Sequence, residues 1–144
     1  MKGIKMSDCK FYVDETARKV ICVIPNTKFM VWNYVNEHFD WNDFSVSLAA
    51  NFRTLKLDMP SSFRGIAVCN PEDEWNPELG RLIAFSKAKD KCYKSFFKRA
   101  NALVQAIDRR LGDMINDFND FGMKLSEKRD QITDEIDSMM NKEE

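Results

Sequence analysis

From Pro77 to Met140 the helical pattern scarcely stops, and this run constrains the fold more than any other feature of the chain. Its start is marked by side-chain chemistry: Asn76 suits the N-cap, Pro77 the first helical position, and Glu78 the positive end of the helix dipole. An unbroken helix of about 64 residues would run to ~96 Å, too long for a compact domain of this size. Gly112 and Gly122 are therefore the expected bends or breaks, since glycine costs ~1 kcal/mol in a helix interior. The spacing predicts a first helix to about Leu111 and further helix beyond Gly112 or Gly122.

The distal half has its own regularity. Ile107, Leu111, Met114, Phe118, Phe121 and Leu125 alternate spacings of four and three, and Ile132, Ile136 and Met139 resume the pattern after a polar step at Lys128. This is a coiled-coil-like seam. It either packs on the chain's own sheet or joins copies of the chain. A helix that projects beyond one small sheet needs another apolar surface, so long C-terminal helices that mediate oligomerisation are expected.

The segment before the helix reads as a small antiparallel sheet. Lys10–Glu15 and Lys19–Ile24 are rich in aromatic and β-branched residues around a polar turn, which predicts a hairpin. Val20–Ile24 is continuously apolar, so its second strand is the more central, and Pro25 ends it. Thr27 can cap a helix over Lys28–Phe39 with Phe29, Trp32, Val35 and Phe39 on one face. Asn42–Asn51 fits a short helix or a strand, and Phe52–Leu57 alternates as a short strand. Phe63–Cys69 is the most secure strand, apolar on both faces and so central, with Gly65 marking a bulge or close backbone approach. The fold class is α+β, with residues 1–76 as sheet core plus helix and 77–144 as long helices of the same integrated domain.

Composition removes several function classes. At 144 residues and a net charge of -1 the chain lacks the basic balance of a long nucleic-acid binder. No run approaches the ~20 apolar residues of a membrane helix, and Met1–Lys10 lacks an apolar signal core. A cytoplasmic protein with reduced thiols is expected. Cys9, Cys22, Cys69 and Cys92 form no CxxC pair beside the single His38, so neither a metal site nor a cofactor is expected. GxGxxG, P-loop, GxSxG and HExxH motifs are absent, and no catalytic residue is assigned. The acidic group Glu72, Asp73, Glu74 and Glu78 reads as solvated helix-start chemistry.

The remaining signal is Lys87–Arg99, where Lys87, Lys89, Lys91, Lys94, Lys98 and Arg99 face only Asp90. Tyr93, Phe96, Phe97, Ala100, Val104 and Ile107 make the expected apolar stripe beside it. The cations form either a solvated face answered by the acidic C-terminal helix, or a phosphate-binding rim beside aromatics that stack a base. Arginine gives bidentate phosphate contacts, and an aromatic face adds ~1–3 kcal/mol per stacked base.

The stretch FRGIAVCNPEDEWNPELGRLIAFSKAK, a strand ending in cysteine, an acidic turn and a Glu–x–Gly helix start, resembles a pattern of small phage proteins. With its continuation KCYKSFFKRANALVQAIDRRLG it is similar to the first family of phage Thoeris anti-defence proteins. That resemblance implies an oligomeric cytosolic sponge that sequesters, without cleaving it, a cyclic nucleotide immune signal such as glyco-cyclic ADP-ribose. The candidate ligand site, chosen on physical grounds, places Arg109, Arg99 and Lys98 on the diphosphate. Phe97, Phe85 or Trp75 would stack the adenine, with Arg64 or Asn70 closing the pocket. The alternative is a phage interaction protein that inhibits a host protein through its helical surface.

Overall fold

The computed structural model describes residues 3–38 and 55–142, so Phe39 of the expected first helix, the expected element over Asn42–Asn51 and residues 52–54 lie outside the described residues. The chain is α+β: strands β1 (Lys10–Asp14), β2 (Lys19–Pro25) and β3 (Ser62–Val68), a short helix α1 (Met30–His38), and a long helix α2 (Pro77–Lys142). It divides into two compact units, Met1–Leu103 and Val104–Glu144.

The first unit is built on the sheet, whose strand order is β1-β2-β3, antiparallel throughout. In the hairpin Val13 pairs with Val20 and Phe11 with Cys22, while Cys22 also pairs with Gly65 of β3. β2 is central, as its continuous apolar run predicts, and it buries Val20, Cys22 and Ile24 on one face. β3 is not central. It is an edge strand, as β1 is, and its second apolar face is only partly used, with Ile66 half-buried and Val68 exposed. Its open edge is answered by α2, where Lys91 Nζ donates to the Arg64 carbonyl (3.0 Å) and Lys87 Nζ to the Ile66 carbonyl (3.1 Å). Lysines that occupy edge carbonyls leave less template for another strand.

α2 crosses this sheet on its smallest residues. Gly80, Ala84, Ala88, Cys92 and Phe96 recur every fourth position and are buried, a stripe different from the expected Tyr93–Ile107 one, of which Phe97 and Val104 are exposed. Small side chains let two backbones approach: a β-carbon on Gly65 would lie 1.9 Å from the Ala84 carbonyl oxygen. The close approach expected at Gly65 is therefore its role. The helix start is as read, with Leu79 N–H donating to Asn76 Oδ1 (3.2 Å).

Around α1 the structure differs from the sequence expectation in three places. The helix begins at Met30, and its buried pair is Val31 and Val35, spaced by one turn, while Phe29 is exposed. Thr27 is not the cap residue, because the helix begins three positions later; its carbonyl accepts the Met30 N–H (3.3 Å) and its hydroxyl donates to the Pro60 carbonyl. Leu55–Leu57 is not strand: the chain turns there, with Leu57 N–H on the Leu55 carbonyl (2.9 Å). Leu57 and Met59 go into the core, and Met59 N–H bonds the Lys28 carbonyl (2.9 Å). The alternation seen in sequence reflects burial of an irregular segment rather than a ladder.

The second unit is the distal part of α2. The helix does not break at Gly112 or Gly122, and a β-carbon at either would meet nothing within 4 Å. No contact forces a bend, and a local cost of ~1 kcal/mol is offset by cooperative propagation through good helix formers on either side. Among the described residues every buried core side chain lies at or before Leu103, and Leu111, Met114, Phe118, Phe121, Leu125 and Ile132 are exposed.

Candidate functional site

The turn between β3 and α2 is held from the hairpin. Arg18 sits in the left-handed region (φ 49°), where its carbonyl accepts the Cys69 N–H (2.9 Å). Its guanidinium then reaches across to Cys69 Sγ (3.1 Å) and the carbonyls of Pro71 (3.4 Å) and Asp73. One arginine thus satisfies acceptors that a tight turn would otherwise leave to water. Cys69 Sγ lies 3.5 Å from the Asn70 carbonyl oxygen and 3.6 Å from that of Glu74. The Trp75 indole N–H donates to Glu15 on the same hairpin.

This frame encloses a cleft of about 370 Å³ whose walls include Asn70, Trp75, Asn76, Leu79, Ile83 and Lys87. Half-buried indole, aliphatic side chains and two amides suit a flat heterocycle with donors and acceptors on its rim. The charges in and beside it are mixed. Asp73 and Glu74 also line it and, like Glu72 and Glu78, are exposed carboxylates, Glu78 being paired with Arg81 at 2.7 Å. Lys87 is the cation among the lining side chains.

Of the eight side chains chosen from sequence, the structure brings Trp75 and Asn70 together at this cleft. Arg64 is exposed on β3, its carbonyl occupied by Lys91. Phe85 is buried under the Lys89 ammonium, 4.8 Å from the ring centroid. Arg99 is committed to the Asp58 carbonyl (2.6 Å) and the Ser95 carbonyl (3.1 Å), which ties the irregular segment to α2. Phe97 is exposed and meets Phe96 edge-on, next to an exposed Lys98. Arg109 is exposed in the second unit. Much of the cationic row is also engaged, since Lys94 pairs with Asp90 (2.9 Å) in addition to the two edge lysines.

A second cleft, of about 730 Å³, went unseen in the sequence. Asp8, Asn26, Met30, Asn33, Tyr34 and Glu37 are among its walls, drawn from three segments whose approach no local spacing announces. Its titratable lining is acidic, which disfavours an anion.

The thiols and the histidine have structural neighbours. Burial, with the nearby Cys9 adding to it, pushes the Cys22 thiol up to about 12, and burial pushes Cys92 up to about 11. Both stay protonated at neutral pH and make poor nucleophiles. Burial also raises Cys9. The His38 ring stacks on Tyr34 at 4.1 Å, with Nδ1 2.9 Å from the Tyr34 carbonyl oxygen. Among the described residues no group of three or more His, Cys, Asp or Glu is placed to hold a metal ion, and no helix is long and apolar enough to cross a membrane.

The chain matches no protein-family model, no curated protein and no solved structure.

Proposed function

We propose that the protein acts by stoichiometric binding, holding a small cyclic nucleotide of the cyclic ADP-ribose class without cleaving it. In the cytoplasm of a bacterial host, that sequestration would block Thoeris defence. The observation that carries the reading is the β3–α2 cleft of about 370 Å³, which Asn70, Trp75, Asn76 and Lys87 line together with Asp73 and Glu74. Trp75 offers the stacking face, Asn70 and Asn76 the base-edge hydrogen bonds, and Lys87 a charge for phosphate. The protonated state of Cys22 and Cys92 is in keeping with binding over bond cleavage.

The test is retention and release. Micromolar protein is mixed with a cyclic ADP-ribose isomer, the bound nucleotide is freed by heat, and its mass is measured. Intact nucleotide is expected; a cleaved product makes the protein an enzyme. Trp75→Ala should weaken binding by roughly 1–3 kcal/mol and Trp75→Phe by less, while unchanged affinity in both removes the cleft from the site. Arg109→Ala distinguishes a phosphate clamp elsewhere on α2. A loss of about 1.5–3 kcal/mol places Arg109 on the ligand, and no loss removes it.

A second reading is favoured by the exposed apolar row from Leu111 to Met140: an interaction protein that inhibits a host protein through its helical surface. Absence of nucleotide binding at micromolar concentrations would select it. In either reading copies of the chain associate through that row, since apolar area of this extent on a helix is stabilised by removal from water.

A further inference from the structure

In the distal part of α2, Val104, Leu111, Phe118, Leu125, Ile132 and Met139 recur every seven residues, with Ile107, Met114 and Phe121 between them. The same intermediate row continues as Lys128 and Glu135. This seam is exposed from Leu111 onward, and no other described residue of the chain covers it. Which chain covers it, and in which direction, is decided by the charges that border it.

Parallel pairing of two copies fails on three counts. It would set Lys128 against Lys128 and Glu135 against Glu135 inside the seam, and Lys124 beside Arg129 on its flank. Antiparallel pairing with the two-fold axis between Phe118 and Phe121 removes all three conflicts. Phe118 of one copy then meets Phe121 of the other, Leu125 meets Met114, and Ile132 meets Ile107. On the flanks Asp117 lies beside Lys124 and Asp108 beside Arg129, each pair occurring twice by symmetry. Ile115 falls on Gly122, where a β-carbon would find open space in the single chain. Lys128 and Glu135 face Leu111 and Val104 near the ends, from which their long side chains reach water. Arg110 Nε, buried without a hydrogen-bond partner among the described residues, lies alongside Gln131 of the other copy.

Sliding the copies by one heptad destroys the match. In one direction Lys124 meets Lys124; in the other Asp117 meets Asp117 and Arg110 meets Lys124. We infer that residues 104–135 bind the same segment of a second copy, antiparallel, with the two-fold axis between Phe118 and Phe121. The inference rests on self-association and adds its direction and register.

The experiment uses the full chain and sedimentation equilibrium, with Asp117→Lys, Lys124→Asp and the double variant. Asp117 and Lys124 are exposed, so none of the three disturbs a core, and an unchanged thermal transition of the sheet unit verifies it. Each single variant turns two attractions into two repulsions in the antiparallel pair and should raise the dissociation constant about tenfold. The double variant restores the pairs and should return it to the wild-type value. In a parallel pair Lys124→Asp would instead meet Arg129 and tighten association, which overturns the direction. Single variants without effect overturn the register. A wild-type chain that stays monomeric at high concentration overturns self-association itself, a result distinct from either of the others.

Discussion

A β-carbon at Gly65 would lie 1.9 Å from the Ala84 carbonyl oxygen and 2.5 Å from the Ala88 nitrogen, both backbone atoms that a rotamer change cannot move. Gly65→Ala must therefore push α2 off the sheet, at a cost of about 3 kcal/mol or more. Urea titration should show that loss, or no folded protein. Gly112 is the control: a β-carbon there meets nothing within 4 Å, so Gly112→Ala should stabilise the helix by about 0.5–1 kcal/mol. The cysteines give a second prediction at this scale. Cys22 and Cys92 are buried at 0% exposure, whereas Cys9 and Cys69 are half-exposed, so a thiol reagent should modify only the latter two until the protein is denatured. The ordinary thiol value is 9.0, against about 12 for folded Cys22 and about 11 for folded Cys92. Above pH ~9 the unfolded chain releases these protons and the folded chain keeps them, so folding binds protons and stability falls with rising pH. The loss should begin near pH 9 and continue through about 11–12, and Cys22→Val should flatten the slope.

At the scale of elements, what could be read depended on where a residue's partner lies. β2 announced itself because its neighbours on both sides are strands, and Val20–Ile24 is apolar enough to serve both. The Asn76–Pro77 helix start was legible because a cap is satisfied within its own turn. β3 misled, since an apolar run on both faces does not say whether strand or helix covers it, and here α2 does. The bonds of the lysine row are invisible in sequence for a related reason. Lys87, Lys91 and Arg99 bond backbone carbonyls of distant segments, and a carbonyl has no residue identity to be read. Trp75 and Asn70, the two candidate side chains that line the cleft, flank a turn whose location is encoded locally. The edge lysines carry their own prediction. Lys87→Met with Lys91→Met keeps the aliphatic stems but frees two edge carbonyls, so thermal stability should fall by about 1 kcal/mol. Light scattering on heating should rise as β3 becomes a better template.

Charge is divided over the whole molecule as unevenly as burial is. Residues 1–103 carry 16 cations and 12 acids, and residues 104–144 carry 6 and 11, within a chain whose net charge is -1. Among the described residues all buried core side chains belong to the first unit, whereas the distal helix has only half-buried residues, such as Ile107 and Arg110, and lacks the packing that stabilises most helices. A chain ending at Asp108 should therefore keep the cooperative unfolding of the sheet unit, lose self-association, and change from net acidic to net basic. Denaturation curves, sedimentation and ion-exchange retention measure the three. The same truncation separates the sources of ligand binding. A nucleotide held by the β3–α2 cleft alone should bind the shortened, positively charged unit at least as tightly, since an anion gains from removal of the acidic segment. If affinity collapses instead while the sheet unit stays folded, the site requires Arg109 or a second copy, and the cleft is at most half of it.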